Sequence, residues 1–151
     1  MRQPVEKSLR ARAIDALARR EHTRVELLRK LSTHSDDLQQ INLLLDDLQT
    51  RGWLSDERYA EQRTHARQSR YGSRKIGQEL REQGVAETLI TTTLHNLKST
   101  ELDRARSVWQ KKFDAPAATL KERNQQMRFL QSRGFDMDVI YRVVNQVQNE
   151  D

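Results

Sequence analysis

Apolar residues recur along this chain every three to four positions, in short stretches set off by capping residues and glycines. Few β-branched or aromatic runs leave material for a sheet. A first helix is expected over residues 8–20, with Leu9, Ala13, Ile14 and Leu17 on one stripe. Thr23 followed by Glu26 reads as a capping box that opens a second helix carrying Val25, Leu27, Leu28 and Leu31. Ser35-Asp36-Asp37 starts a third, with Leu38, Ile41, Leu44, Leu45 and Leu48 at helical spacing and Gly52 as its stop. Ser55-Asp56-Glu57 opens a fourth helix that runs to Ser69, and Gly72-Ser73 breaks the chain before a fifth that Gly84 ends. A sixth is expected over 86–97, and a seventh from Ser99-Thr100-Glu101 with Leu102, Ala105, Val108 and Trp109 inward. Asp114-Ala115-Pro116 breaks the chain again, with Pro116 acceptable near a helix start. An eighth helix ends at Gly134, and a ninth covers 136–148.

Part of this pattern is written twice. Leu80-Arg81-Glu82-Gln83-Gly84-Val85 is echoed fifty positions on (130 − 80 = 50) by Leu130-Gln131-Ser132-Arg133-Gly134-Phe135. Ile90 and Ile140 follow at the same offset. A shift of 49 sets Leu27 and Leu31 on Ile76 and Leu80, Ile41 on Ile90, and Leu48 on Leu97. The Gly52 segment resembles the Gly84 and Gly134 segments locally, but a shift of 32 is too short for three helices, so that likeness reads as shared helix-ending chemistry. Nine helices then divide into an all-α fold of three tandem three-helix repeats in an elongated array, with repeats at 1–53, 54–98 and 99–151. Each repeat has too little apolar surface to stand alone, so the repeats must lean on one another or on a partner.

Composition narrows the function classes. Of 151 residues, 35% are hydrophobic, 32% charged and 5% aromatic, which supplies a thin core per layer. The net charge of +5 favours nucleic acid or acidic partners, weakly, because 27 Lys and Arg face 22 Asp and Glu. No cysteine is present, which excludes thiolate catalysis and Cys-based zinc sites. The N-terminus lacks the apolar run of a signal peptide and no stretch has the apolar length of a membrane span, so a cytoplasmic protein without membrane contact is expected.

Catalytic patterns are weak. His22, His34, His65 and His95 are scattered, with no two at metal-pair spacing, and are expected to be solvated. The acidic pairs Asp36-Asp37 and Asp46-Asp47 diverge around their helix, and no phosphate-binding glycine loop is present. No catalytic residue, metal or cofactor is assigned, and an enzyme is not expected. The basic pattern is stronger. Arg63, Arg67, Arg70 and Arg74 follow i, i+4, i+7, i+11, with Tyr71 and Lys75 beside the last of them. Such a stripe with an interleaved aromatic suits a phosphate backbone or an acidic protein surface. The ordinary alternative is a solvated arginine face paired with Glu61 and Glu79, and Gly72 is placed to make Arg70 and Arg74 diverge from the ladder. Arg104, Arg106, Lys111 and Lys112 form a looser second patch. Trp53, Trp109, Phe113, Phe129, Phe135 and Tyr141 sit mostly at core-like positions, while Trp53 and Phe135, directly after glycines, are also placed to close contacts between repeats.

Leu54-Ser55-Asp56-Glu57-Arg58-Tyr59-Ala60, Arg67-Gln68-Ser69-Arg70-Tyr71-Gly72-Ser73-Arg74-Lys75-Ile76, Glu79-Leu80 and Gly84-Val85 together resemble the signature of the RecX family. Thr23-Arg24-Val25-Glu26-Leu27-Leu28-Arg29-Lys30-Leu31 resembles an earlier family segment, and Arg128-Phe129-Leu130 with Arg133-Gly134-Phe135 its closing motif. Ser73 stands where the family often has Pro, and Gln62-Arg63 where it often has apolar or aromatic residues. The resemblance implies a regulator that lodges in the groove of the RecA–single-stranded DNA filament and inhibits RecA in homologous recombination, DNA repair and the SOS response. Its implied partners are RecA and that filament, with at most weak affinity for free DNA, and a monomer is expected. Arg63, Arg67, Arg70, Tyr71, Arg74 and Lys75 are then the residues expected to face the filament or its DNA. A direct DNA-binding protein of helix-turn-helix type is the alternative, since short three-helix units also read major grooves.

Overall fold

Side-chain caps set most helix starts in the structure, a computed structural model that describes residues 6–149. Ser8 accepts a hydrogen bond from the Ala11 amide and opens α1, Leu9–Arg19. Thr23 and Glu26 form the expected capping box of α2, Arg24–Ser32, and Asp37 caps α3, Leu38–Thr50. The Ser55 hydroxyl accepts from the Arg58 amide at 3.1 Å at the head of α4, Asp56–Arg67. α5 covers Ser73–Glu82 and α6 covers Glu87–Lys112. Thr119 caps α7, Leu120–Ser132, and α8 covers Met137–Asn149. The described residues are thus all-helical, with eight helices and no strand.

The chain divides into two compact units. Unit 1 holds the residues up to Gln62 together with Gln83–Val85. Its core is Ala13 and Ala16 of α1, Leu27 and Leu31 of α2, Ile41, Leu45 and Leu48 of α3, and Leu54. Unit 2 holds Arg63–Glu82 and the chain from Ala86 onward. There Ala105, Val108 and Trp109 of α6 pack with Leu130 of α7, Phe135, and Ile140, Val143, Val144 and Val147 of α8. Ile76 and Leu80 of α5 and Ile90 and Leu97 of α6 are also buried in unit 2. Each Leu or Ile so buried contributes roughly 1.5–3 kcal/mol.

The repeat register is visible in this burial. Leu27 and Leu31, Ile76 and Leu80, and Leu130 are all fully buried, as are Ile41 and Ile140. Gly52, Gly84 and Gly134 share positive φ angles of 76°, 80° and 89°. Gly52 follows α3, however, whereas Gly84 follows α5 and Gly134 follows α7. Helix-ending chemistry, not repeat position, is what Gly52 has in common with the other two.

Four expectations need correction. The sixth and seventh helices are one helix, α6, of 26 residues. Ser99-Thr100-Glu101 has the composition of a helix start, but Thr100 donates back to the Leu97 carbonyl and Glu101 is engaged by α5. Pro116 lies in the loop before α7, whose first residue is Leu120. Trp53 and Tyr141 are not core residues, each being 46% exposed. The Trp53 ring instead carries the Arg10 and Arg51 guanidinium groups at 5.8 and 5.5 Å. Finally His22 is buried, 5% exposed, with Nδ1 3.0 Å from the Arg20 carbonyl. The tautomer that protonates Nδ1 donates that bond, and burial lowers the pKa of the ring below its ordinary value.

Candidate functional site

The arginine-bearing segment is not one helix face. α4 ends at Arg67 and α5 starts at Ser73, so Arg70 and Tyr71 sit in the turn between them. That turn is pinned from two sides within unit 2. The Gly72 amide donates to the Arg133 carbonyl at 2.8 Å, and the Arg74 amide donates to the Gly134 carbonyl at 3.0 Å. A Cβ on Gly72 would lie 2.4 Å from the Gly134 carbonyl oxygen, and one on Gly134 would lie 2.4 Å from Lys75 Cβ. Only two glycines permit this backbone approach, which carries the end of α7 up to Tyr71.

From the other side Arg104 of α6 donates to the carbonyls of Gln68, at 2.9 Å, and Tyr71, at 3.0 Å. Its charge is met by Glu101, 3.2 Å away and 4% exposed. The other Glu101 oxygen accepts from the Ser73 amide at 2.9 Å and so caps α5. Burial lowers the pKa of Arg104, and Glu101 acts in the opposite direction. Arg104 therefore builds the turn and does not belong to an open basic patch. Arg106 bonds Gln146 and lies 4.0 Å from Asp103.

The cations of the stripe divide between two tasks. Arg67 bonds the Glu79 carboxylate at 2.5 and 3.1 Å, and Arg63 approaches the same group at 3.8 Å. The Glu79 hydrogen bond raises the pKa of Arg67 further. Arg74 lies 3.8 Å from Asp136. Three cations surround the Tyr71 ring: Arg67 at 4.1 Å, Lys75 at 4.7 Å and Arg133 at 5.6 Å. Arg133 also lies 5.1 Å from the Phe129 ring centre, and Lys112 lies 5.7 Å from it. Between these rings opens a cavity of about 390 Å³ lined by Arg70, Tyr71, Val108, Lys111, Lys112, Phe129 and Arg133, together with Ser69.

The structure thus joins Arg70 and Tyr71 of the first patch to Lys111 and Lys112 of the second. It leaves Arg63, Arg67 and Arg74 beside carboxylates, and it adds Arg133 and Phe129, which the spacing argument passed over. Their sequence signals were the closing motif, which includes both, and for Arg133 the echo of the Gly84 segment. The cavity has an aromatic floor and a cationic rim, with no carboxylate among its lining residues, a lining whose charge is complementary to an oxyanion. The described residues contain no group of three or more His, Asp or Glu that could hold a metal ion. Among them, too, no helix is long and apolar enough to cross a membrane.

Comparison with known proteins places these helices in context. Residues 55–94 match the family model of the second three-helix domain of RecX, and residues 99–144 match that of the third. The chain is 45% identical over 143 residues to the regulatory protein RecX of Leptothrix cholodnii, spanning 95% of this chain and 91% of that one. It is 43% identical to the regulatory protein RecX of Ralstonia pickettii, across 95% of this chain and 89% of the relative. The crystal structure of RecX from Lactobacillus salivarius superposes with a TM-score of 0.84 at 17% identity, covering 93% of this chain and 94% of that one. The likeness to that structure is one of fold.

Proposed function

This chain belongs to the RecX family of regulatory proteins, and on that premise we propose that it binds RecA recombinase and its single-stranded DNA filament and inhibits RecA activity in recombination and DNA repair. One observation carries the reading to specific residues: the turn between α4 and α5 presents Arg70 to a cation-rimmed cavity without a carboxylate on its wall. A nucleoprotein filament offers phosphates and acidic side chains in a fixed array, and such a surface engages both. Arg63, Arg67, Tyr71, Arg74 and Lys75 frame the turn on its α4 and α5 sides. Arg67 and Lys75 hold the tyrosine ring, and Arg70 faces outward. The three repeats at 1–53, 54–98 and 99–151 would act as separate contact modules, and the protein would work in the cytoplasm as a monomer.

RecA-dependent ATP hydrolysis on single-stranded DNA tests this. The wild-type protein is expected to suppress hydrolysis, and the doubly reversed variant Arg70→Glu/Arg74→Glu to suppress it at least about tenfold less effectively, each charge-assisted contact being worth about 1.5–3 kcal/mol. Full inhibition by that variant, with its helical circular dichroism intact, would sink the assignment of this surface. The helix-turn-helix alternative predicts tighter binding to one duplex sequence than to random duplex, without RecA.

A further inference from the structure

Arg133 is the cation whose surroundings the filament reading leaves unexplained. Its guanidinium lies against two rings, Tyr71 at 5.6 Å and Phe129 at 5.1 Å, and the residue is half-buried. Its backbone is fixed by the Gly72 amide, which donates to its carbonyl. Elsewhere in unit 2 a guanidinium held this closely has an acceptor: Arg67 has Glu79, and Arg104 has Glu101 and two carbonyls. No carboxylate stands within ion-pair distance of Arg133 among the described residues, and none lines the cavity that it borders. Lys111 and Lys112 of α6 and Arg70 of the turn converge on the same cavity. Aromatic rings hold the fork in place while leaving its planar N–H edge for an oxyanion.

We infer that this cavity is a binding site for one phosphodiester-linked nucleotide of single-stranded nucleic acid, with Arg133 as the planar fork on the phosphate. The inference rests on the regulatory reading above and names the ligand of the same surface. Lys111, Lys112 and Arg70 supply the remaining charge around the phosphate. Tyr71, Phe129 and Val108 form the apolar floor for the sugar or the unpaired base. The volume of about 390 Å³ accommodates a nucleotide. Apolar floor and cationic rim together favour an unpaired strand, because a duplex hides its bases and offers only phosphates. The cavity wall carries no Asn, Gln, Asp or Glu to pair with an adenine or cytosine edge.

The test uses the full-length protein without RecA and a labelled oligothymidylate, read by fluorescence anisotropy against salt. Arg133→Ala is expected to weaken binding about tenfold or more, and to lower the salt slope by about 0.7 for the lost phosphate contact. Arg133→Lys keeps the charge but loses the fork, and is expected to recover only part of the affinity. Lys111→Glu/Lys112→Glu, two exposed side chains, is expected to abolish binding without unfolding the protein. Arg142→Ala, exposed on α8 and not part of the cavity wall, serves as the control and should leave binding unchanged. Arg133→Ala binding like the control overturns the inference, as does Arg133→Lys matching the wild type. Equal affinity for a duplex of the same length, or displacement of the oligonucleotide by polyglutamate at equal charge, overturns it in favour of a duplex or an acidic peptide. RecA-dependent ATP hydrolysis is measured in parallel. Wild-type protein that binds the oligonucleotide but does not inhibit RecA refutes the regulatory reading alone. Inhibition by the wild type with unaltered oligonucleotide binding by Arg133→Ala refutes the cavity alone.

Discussion

Gly72 and Gly52 differ in what a methyl group would meet, and that difference separates a packing glycine from a conformational one. A Cβ on Gly72 runs into the Gly134 backbone, which cannot rotate away as a side chain can. At Gly52, with φ +76°, a Cβ meets nothing within 4 Å, and the cost is only that of a left-handed backbone. Gly72→Ala should therefore lower stability by about 2–3 kcal/mol, and Gly52→Ala by about 1 kcal/mol. Urea unfolding monitored by helical circular dichroism measures both, and equal losses would refute the contact. The sequence revealed Gly52 as a helix stop, but it held no sign that Gly72 touches Gly134, because that approach depends on two turns 62 positions apart (134 − 72 = 62). The same blindness to distant partners explains Trp53. Its place after a glycine reads as apolar, yet arginines from α1 and the end of α3 cover its ring.

Helices were legible wherever caps are local and misread where caps are borrowed. Ser8, Thr23 and Asp37 each bond an amide three residues on and head helices expected from the sequence, while Thr119 does the same at a start expected nearer Pro116. Glu101 shows the opposite case. It sits in Ser99-Thr100-Glu101, a triplet with cap composition, but inside α6 its carboxylate serves the Ser73 amide and the Arg104 guanidinium. Removing it leaves the half-buried Arg104 without its carboxylate and α5 without its cap. Glu101→Ala should cost about 3 kcal/mol, and Glu101→Gln, which keeps an acceptor for the Ser73 amide, should cost less. Chemical denaturation gives the totals. Hydrogen exchange should locate the loss at the start of α5 and in the 68–72 turn, and protection there equal to wild type would contradict the role given to Glu101. The basic stripe was half legible for a related reason: periodicity found its residues, but their partners Glu79 and Asp136 decided which cations stay open.

At the scale of the whole chain, the two compact units respond differently to acid. His22 belongs to unit 1, and burial holds its folded pKa below the unfolded value of about 6.5. Below that pH the unfolded chain binds more protons than the folded one, so stability present at neutral pH falls as pH drops toward the folded pKa. Asp47, held low by Arg10 and then Arg51, adds its own loss only in the more acidic carboxylate range. Urea unfolding at about pH 7.5 and about pH 5.5 should show that loss, and His22→Gln should flatten it. An unchanged slope in that variant would exclude His22 as its source. The buried residues of unit 2 include no histidine among those described. The whole-chain pattern of three repeats was the part best read from sequence, because burial repeats with the period, whereas the cavity needs residues from three separate segments. Borrowed capping also sets an order of events during synthesis. The Arg24 amide is bonded by the Asp56 carboxylate, 32 residues downstream, and the Ser73 amide by Glu101, 28 residues downstream. As the polypeptide leaves the ribosome, α2 and α5 each emerge before the group that finishes them, so completion of these two helix starts trails elongation by about thirty residues. α7 is closed at its start locally, by Thr119 and Glu122.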